Sequence, residues 1–476
     1  MNFSLIDKKQ KRSRGKKFNI KGGKVGMKNI TIFILTILLV PFLNVAISFA
    51  ASDAEIQKLK QMIMENKKQN EILMQKVEQL EAEKTSKDQR IEKFISEQEQ
   101  KDLEMAGLMK FFDAIDLGFY IDTTYQYAFD HPNGEDIPLR SLYPEDNEFE
   151  IDAFTISISK TPTMDGGVWD LLGFRADILF GEIAPRIASA GLSSDVVDPY
   201  QAYLQVLAPV GNGINFYAGK FVTLAGYEVI EAKDNPNITR SILFGFAIPF
   251  THTGIRADYT AGPVTLTAGL NNGWDVVDDN NSDKTIESQI AFSHSGGAIT
   301  DLWIGVTGYF GRELVSVEND IGETASSNGW RELITAVGTL TFFDKLTFIV
   351  DADFGWQQDT VLFVGAQQQN VRWWGIAGYI VVTPHPAVTL ALRGEYFDDE
   401  DGFRTGQSQK LYELTPTISF RPFKGLIAAN KYLDNFEARF EFRWDHSDEP
   451  FFPNTNGGLD EDQYTLQAQM LYWIDL

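Results

Sequence analysis

Between Asn435 and Asp448 the chain reads NFEARFEFRWDHSD, and charged and apolar side chains alternate through it without a break. Glu437, Arg439, Glu441, Arg443 and Asp445 share one face of any strand formed here, while Ala438, Phe440, Phe442 and Trp444 share the other. Successive side chains of a strand point to opposite sides of the sheet. A soluble sandwich would turn its apolar faces inward and carry fewer paired charges in mid-strand. A sheet with lipid outside and water inside calls for this pattern. Lipid offers the backbone no hydrogen-bond partners, so such a sheet has to close on itself.

The same alternation recurs from Ile115 onward, in FRADILFGEI, GIRADYTAG, LTFIVDADFGW and VTLALRGEYF. Arg175 and Asp177 share a face, as do Arg256 and Asp258, Asp351 and Asp353, and Arg393 and Glu395. Leu466, Ala468, Met470, Tyr472, Ile474 and Leu476 form one apolar face running to the last residue, the kind of end strand that the outer-membrane barrel assembly machinery reads. Its final residue is Leu where Phe is more usual. Aromatic residues make up 13% of the chain and Gly occurs 39 times, which suits strands joined by tight turns. Trp303, Trp373, Trp374, Tyr472 and Trp473 are candidates for interfacial girdles.

Connection lengths count the strands. Long polar segments lie near 130–148, 185–199, 225–241, 271–284, 311–330, 357–370, 398–410 and 447–462, with mostly short turns between them. Long loops outside and short turns inside then imply about sixteen antiparallel, up-and-down strands, with fourteen or eighteen as alternatives. To keep this count, residues 240–262 are read as one long strand kinked at Pro249.

The first part of the chain differs. A basic stretch from Lys8 to Lys28 precedes the apolar run 30–50, so residues 1–50 read as a secretory signal with cleavage before Ala51, and Met27 is an alternative start. Residues 51–110 then repeat by sevens, with Ile56, Ile63, Asn70, Val77, Lys84, Ile91 and Met105 at one seam position and Leu59, Leu73, Leu80 and Phe94 at the other, Asn66, Asn70, Lys84 and Lys87 interrupting the seam. Gly and Pro are absent from 51 to 106. This predicts a periplasmic α-helical coiled coil leading into the barrel of 111–476.

Composition excludes several functions. Cysteine is absent, which removes disulfides, thiolate metal sites and cysteine nucleophiles. Beyond residue 110 only 21 of the 42 basic side chains remain, against 52 of the 66 acidic ones. So acidic a surface repels nucleic acid and attracts cations. The five histidines show no metal-ligand spacing on one helix, and Ser next to His at 293–295 and 446–448 would need a third orienting group and an oxyanion site to act as a hydrolase. No catalytic residue, metal site or cofactor is expected, and the chain reads as a channel and not an enzyme. The acidic runs 278–283, 398–401 and 460–462 lack the ordered spacing of an EF-hand; weak divalent-cation binding, or bridging to lipopolysaccharide, is the most they offer.

Two stretches resemble a known family. GKFVTLAGYEVIEAKDNPNITRSILFGFAIPFTHTGIRADYT (219–260) and EARFEFRWDHSD (437–448) are similar to the OmpL-like β-barrel porin family, and the likeness spans most of 113–476. The resemblance implies a diffusion channel of the bacterial outer membrane. Phosphate-selective porins also join a coiled coil to sixteen strands, but the acidity here argues against a phosphate-binding lumen. Arg175, Asp177, Arg256, Asp258, Asp351, Asp353, Arg393, Glu395, Arg439, Glu441 and Arg443 are the candidate pore-lining residues. About half are expected to neutralise one another within the wall. Mixed charge on the wall and acidic loops outside imply weak cation preference. Expected partners are outer-membrane lipid, lipopolysaccharide and further copies of the chain, a trimer clamped by the coiled coil being preferred. The rival reading is a structural protein that tethers the membrane through this coil.

Overall fold

The computed structural model describes residues 53–132, 136–192, 196–319, 321–425 and 432–476. The expected signal segment lies outside these residues. Among them no helix is long and apolar enough to cross a membrane.

Helix α1 spans Asp53–Asp113, 61 residues without a break. Its composition explains the length, since nothing before Gly107 interrupts a run rich in Glu, Lys, Gln and Leu. No residue of it is buried, and the seam positions Leu73, Leu80 and Phe94 are about three-fifths exposed, at 64%, 59% and 65%. The last turn packs on the barrel. There Phe111 meets Trp169 edge-on at 6.4 Å, the Lys160 ammonium sits 5.1 Å over the Phe111 ring, and Lys110 pairs with Asp170 at 3.5 Å.

Sixteen strands form a closed antiparallel barrel. They are β1 (Asp116–Phe129), β2 (Phe149–Lys160), β3 (Leu172–Phe180), β4 (Val197–Ala208), β5 (Ile214–Val222), β6 (Thr251–Ala261), β7 (Val264–Asn271) and β8 (Thr285–Gly296). Then follow β9 (Ile299–Glu318), β10 (Thr324–Phe342), β11 (Leu346–Thr360), β12 (Gln369–His385), β13 (Val388–Asp399), β14 (Gln409–Phe420), β15 (Phe436–Ser447) and the final strand β16 (Asp462–Asp475). Every strand pairs with its sequence neighbours, and β1 closes on β16 from Gly118↔Asp475 to Phe129↔Tyr464. Closure leaves no free sheet edge. Several ladders are interrupted, and one interruption has a plain cause. Between β14 and β15 the pairing stops at Leu414↔Trp444 and resumes at Thr417↔Glu441, around Pro416, which has no N–H to give.

The faces are sorted as the sequence alternation requires. On β15 Glu437, Arg439, Glu441, Arg443 and Asp445 are buried within the barrel, while Phe440 and Phe442 stand exposed outside. On β16 Leu466 and Met470 are among the exposed positions, whereas Thr465, Gln467 and Gln469 between and beside them are buried.

Two readings of the sequence need correction. Residues 240–250 are not part of a strand: they hold a π-helical turn at Leu243–Ala247, and β6 begins only at Thr251. The run SILFGFAIPF is apolar without alternation, so it suits a segment buried on every side and not a strand between lipid and water. The expected loop 311–330 is largely strand as well, because β9 and β10 continue to Glu318 and Thr324. The count of sixteen holds because the two strands flanking the long third loop are β5 and β6 on either reading.

Candidate functional site

The connection from β5 to β6, residues 223–250, folds into the barrel and crosses it. At its start the Leu224 amide donates to the Tyr309 hydroxyl of β9 at 2.9 Å, and the Tyr227 amide to Asp351 of β11, also at 2.9 Å. Halfway along, the Tyr200 hydroxyl of β4 donates to Glu231 at 2.8 Å and the Ala232 amide donates to Tyr120 of β1 at 3.1 Å. The loop then returns along β13–β15. Ile238 and Thr239 donate their amides to Glu441 at 2.6 and 2.9 Å, and Ile242 and Leu243 donate theirs to Glu395 at 2.7 and 2.6 Å. The Trp373 indole of β12 donates to the Ala247 carbonyl at 3.0 Å.

Carbonyls of the same loop meet arginines. Arg393 donates to Thr239 O at 2.6 Å, Arg439 to Ala232 O at 2.9 Å and Arg443 to Arg240 O at 2.6 Å. Wall carboxylates thus take the loop's N–H groups and wall arginines take its C=O groups. Irregular backbone at membrane depth has no ladder to satisfy it, and this wall supplies the partners instead. Inside the loop Arg240 does the same work, donating to Val229, Ile230 and Ile238 carbonyls at 2.7 to 2.8 Å.

Apolar contacts complete the fit. Ile242, Leu243, Phe244, Ala247 and Ile248 are buried and join one cluster with Val371, Trp373, Ala377, Tyr379 and Phe397 of the wall. Leu139 and Leu142 of the first loop and Ile183 and Ile187 of the second belong to the same cluster. Arg140, also on the first loop, pairs with Asp445 at 2.8 Å and donates to Thr465. Burial lowers its pKa to about 10, with the neighbouring Arg443 adding to the shift, and it stays charged at neutral pH. Toward the short-turn end several inward positions are neutral and half-buried, among them Ser157, Ser159, Thr339, Thr341, Thr347, Thr383 and Thr389, although Ser159 stands opposite Arg175.

All eleven expected wall residues face the interior, in two settings. Asp351, Arg393, Glu395, Arg439, Glu441 and Arg443 lie beneath the crossing loop and are bonded to it; Arg393 also binds Glu228 of the loop at 2.8 Å and Glu413 of β14 at 3.1 Å. Asp353, also under the loop, is buried with neither carboxylate oxygen hydrogen-bonded among the described residues. Arg175 and Asp177 lie on β3, and Arg256 and Asp258 on β6, with β4 and β5 between them. Arg175 donates to Asp177 at 2.6 Å and keeps 38% of its side chain exposed, Arg256 grips Glu287 at 2.6 and 2.7 Å, and Asp258 is half-exposed. Of the girdle candidates, Trp373 is corrected: it is fully buried inside, held by the loop.

The acidic loops bind their own neighbours. Asp279 accepts from Asn281 and Ser282 amides and pairs with Lys284, and Asp399 accepts from Arg404 and Thr405 amides at 2.9 and 2.7 Å. Among the described residues no group of three or more His, Asp or Glu has a geometry that could hold a metal ion.

A lipid-facing apolar exterior around a charged interior, closed over sixteen strands, defines an outer-membrane barrel of the porin class. The chain belongs to the family described as "Putative beta-barrel porin-2, OmpL-like", whose model matches residues 114–473. No curated protein matches the chain. Solved structures that resemble it include an anion-selective porin from Comamonas acidovorans, at 9% identity and a TM-score of 0.49 over 76% of this chain and 99% of that one. The outer-membrane channel DcaP of Acinetobacter baumannii gives 13% and 0.45 over 76% and 97%. In-vitro-folded OmpT of Vibrio cholerae, in its trimer form, gives 13% and 0.46 over 76% and 99%.

Proposed function

We propose that the protein is a narrow diffusion channel of the bacterial outer membrane, passing ions and small hydrophilic solutes. One observation carries this reading: a closed barrel of porin class whose inward wall carries many charged and polar side chains, with a loop folded across it. Weak cation preference follows from the excess of 52 acidic over 21 basic side chains beyond residue 110. Arg175 and Asp258, which keep exposure, are the members of the wall set best placed to meet permeating ions. The test is single-channel recording of the refolded protein in planar bilayers under a salt gradient. Stable steps with a cation-leaning reversal potential support the reading; an anion-leaning potential overturns the preference.

The exposed apolar seam of α1 supports a second part of the proposal, that copies of this helix associate in the periplasm and clamp a trimer. The crossing loop favours a rival, in which conductance is minor and the helix tethers the membrane. Deleting 51–108 separates the two. Loss of the oligomer supports the clamp, and envelope detachment with an intact oligomer supports the tether.

A further inference from the structure

We propose that the inner wall between β3 and β7 carries a binding subsite for a neutral, polyhydroxylated ring the size of a monosaccharide. This rests on the channel reading above and names its solute. The wall there encloses a cleft of about 250 Å³ bordered by Gln201, Tyr203, Tyr217, Asp258, Thr265 and Thr267. That is below the roughly 300–1,000 Å³ of sites for drug-sized ligands, so the occupant is about one ring in size.

Three aromatic rings form its apolar surface. Tyr203 packs edge-on to Tyr217 at 5.5 Å and to Phe221 at 6.4 Å. Tyr203 and Tyr217 are half-buried, so part of each ring is open to the interior, whereas Phe221 is buried with the Arg256 guanidinium 4.0 Å from its centroid. A pyranose has the matching character, with C–H groups on its faces and hydroxyls around its edge. Aromatic rings take the first and planar polar groups take the second.

The polar groups offer partners for hydroxyls as well as for ions. Both arginines here are already engaged, Arg256 by Glu287 and Arg175 by Asp177. Asn215, opposite Asp258 in the ladder, donates its amide to the Tyr217 hydroxyl at 2.6 Å and leaves its own carbonyl oxygen without a donor. Asp177 is fully buried, takes Gln201 and Arg175 on one oxygen, and leaves the other without a donor. On the cleft's border itself Gln201, Asp258, Thr265 and Thr267 can exchange hydrogen bonds with the hydroxyls of a ring. The cleft itself lies just below the root of the crossing loop, touching Val222 and Leu224.

The experiment is titration of glucose against ionic current through the full channel in planar bilayers, with a polyethylene glycol of equal hydrodynamic size as the control. Glucose is expected to reduce the current saturably and the polymer only in proportion to its concentration. Tyr217→Ala and Tyr203→Ala should each raise the half-blocking concentration at least about fivefold. Tyr217→Phe, which keeps the ring, should stay within about twofold, and Phe354→Leu on the lipid face should leave the block unchanged. Equal, linear reduction by glucose and polymer overturns the subsite and leaves the channel standing. If no current is seen at all, glucose binding to the detergent-folded protein, read by calorimetry, decides. Binding that Tyr217→Ala abolishes keeps the subsite while the channel reading falls; flat calorimetry overturns both.

Discussion

Glu441 on β15 accepts the backbone amides of Ile238 and Thr239, which lie 203 and 202 residues earlier in the chain. Thr417 donates to the same carboxylate at 2.6 Å, so its charge is spread over a full set of donors. Removing it strands two buried amides and the hydroxyls of Thr239 and Thr417. Glu441→Ala should therefore lower stability by roughly 3–5 kcal/mol in denaturant titration of the detergent-folded barrel. The same variant should raise single-channel conductance as the crossing loop loosens. An unchanged midpoint and unchanged steps would mean that this carboxylate does not hold the loop.

Asp275 gives a dependence on pH. It lies in the loop after β7 and accepts the Phe250 and Thr251 amides at 2.9 and 2.8 Å. Burial raises its carboxyl to about 6, against the lowering effect of those two bonds. A raised folded-state pKa favours the protonated group, so its contribution is full below about pH 4 and is lost as pH climbs through about 6. The wild type should lose up to about 2 kcal/mol relative to Asp275→Asn between pH 4 and 7. Parallel melting curves of the two proteins across that range would refute the assignment.

The seam of α1 can be tested apart from the barrel. Leu73→Asn with Leu80→Asn places two amides at positions that are apolar and exposed in the single chain. Sedimentation of the full-length protein in detergent should then shift from oligomer to monomer, with barrel melting unchanged. If the oligomer persists, the helix is not what holds the copies together.

Facing can be tested on one strand. Phe440 is 55% exposed on the outer side of β15, next to the inward Arg439 and Glu441. A lysine at that position should cost about 2–4 kcal/mol in lipid vesicles if it lies near the bilayer midplane. Conductance should be little affected, because the lumen is unchanged. A stable Phe440→Lys variant would mean that this face does not meet lipid.

The barrel was legible because lipid and water impose a period of two on every strand, and residues such as Arg439, Phe440 and Glu441 report it directly. The crossing loop was harder to see. Residues 242–250 share the apolar composition of a strand, and only their lack of alternation told against one. Trp373 misled for a related reason: a tryptophan near a strand end suits an interfacial girdle, but here it serves the loop. Alternation tells which side a residue faces and nothing of what covers it. Glu395 and Glu441 could be placed on the inner wall from sequence; that backbone amides would seal them could not, since those donors lie far away in the chain and carry no side-chain signature.

The loop's attachments also bear on mechanics. A closed ring of sixteen strands resists ovalisation through its interstrand ladders, and struts across it add to that resistance. Here one segment touches β1, β4, β9, β11, β12, β13 and β15, so opposite arcs of the ring are braced through it. Distances between spin labels on opposite strands should accordingly be narrow in the wild type and broaden in Glu441→Ala. Under lateral tension the cross-section would keep its shape as a spoked wheel does, by struts across the hub.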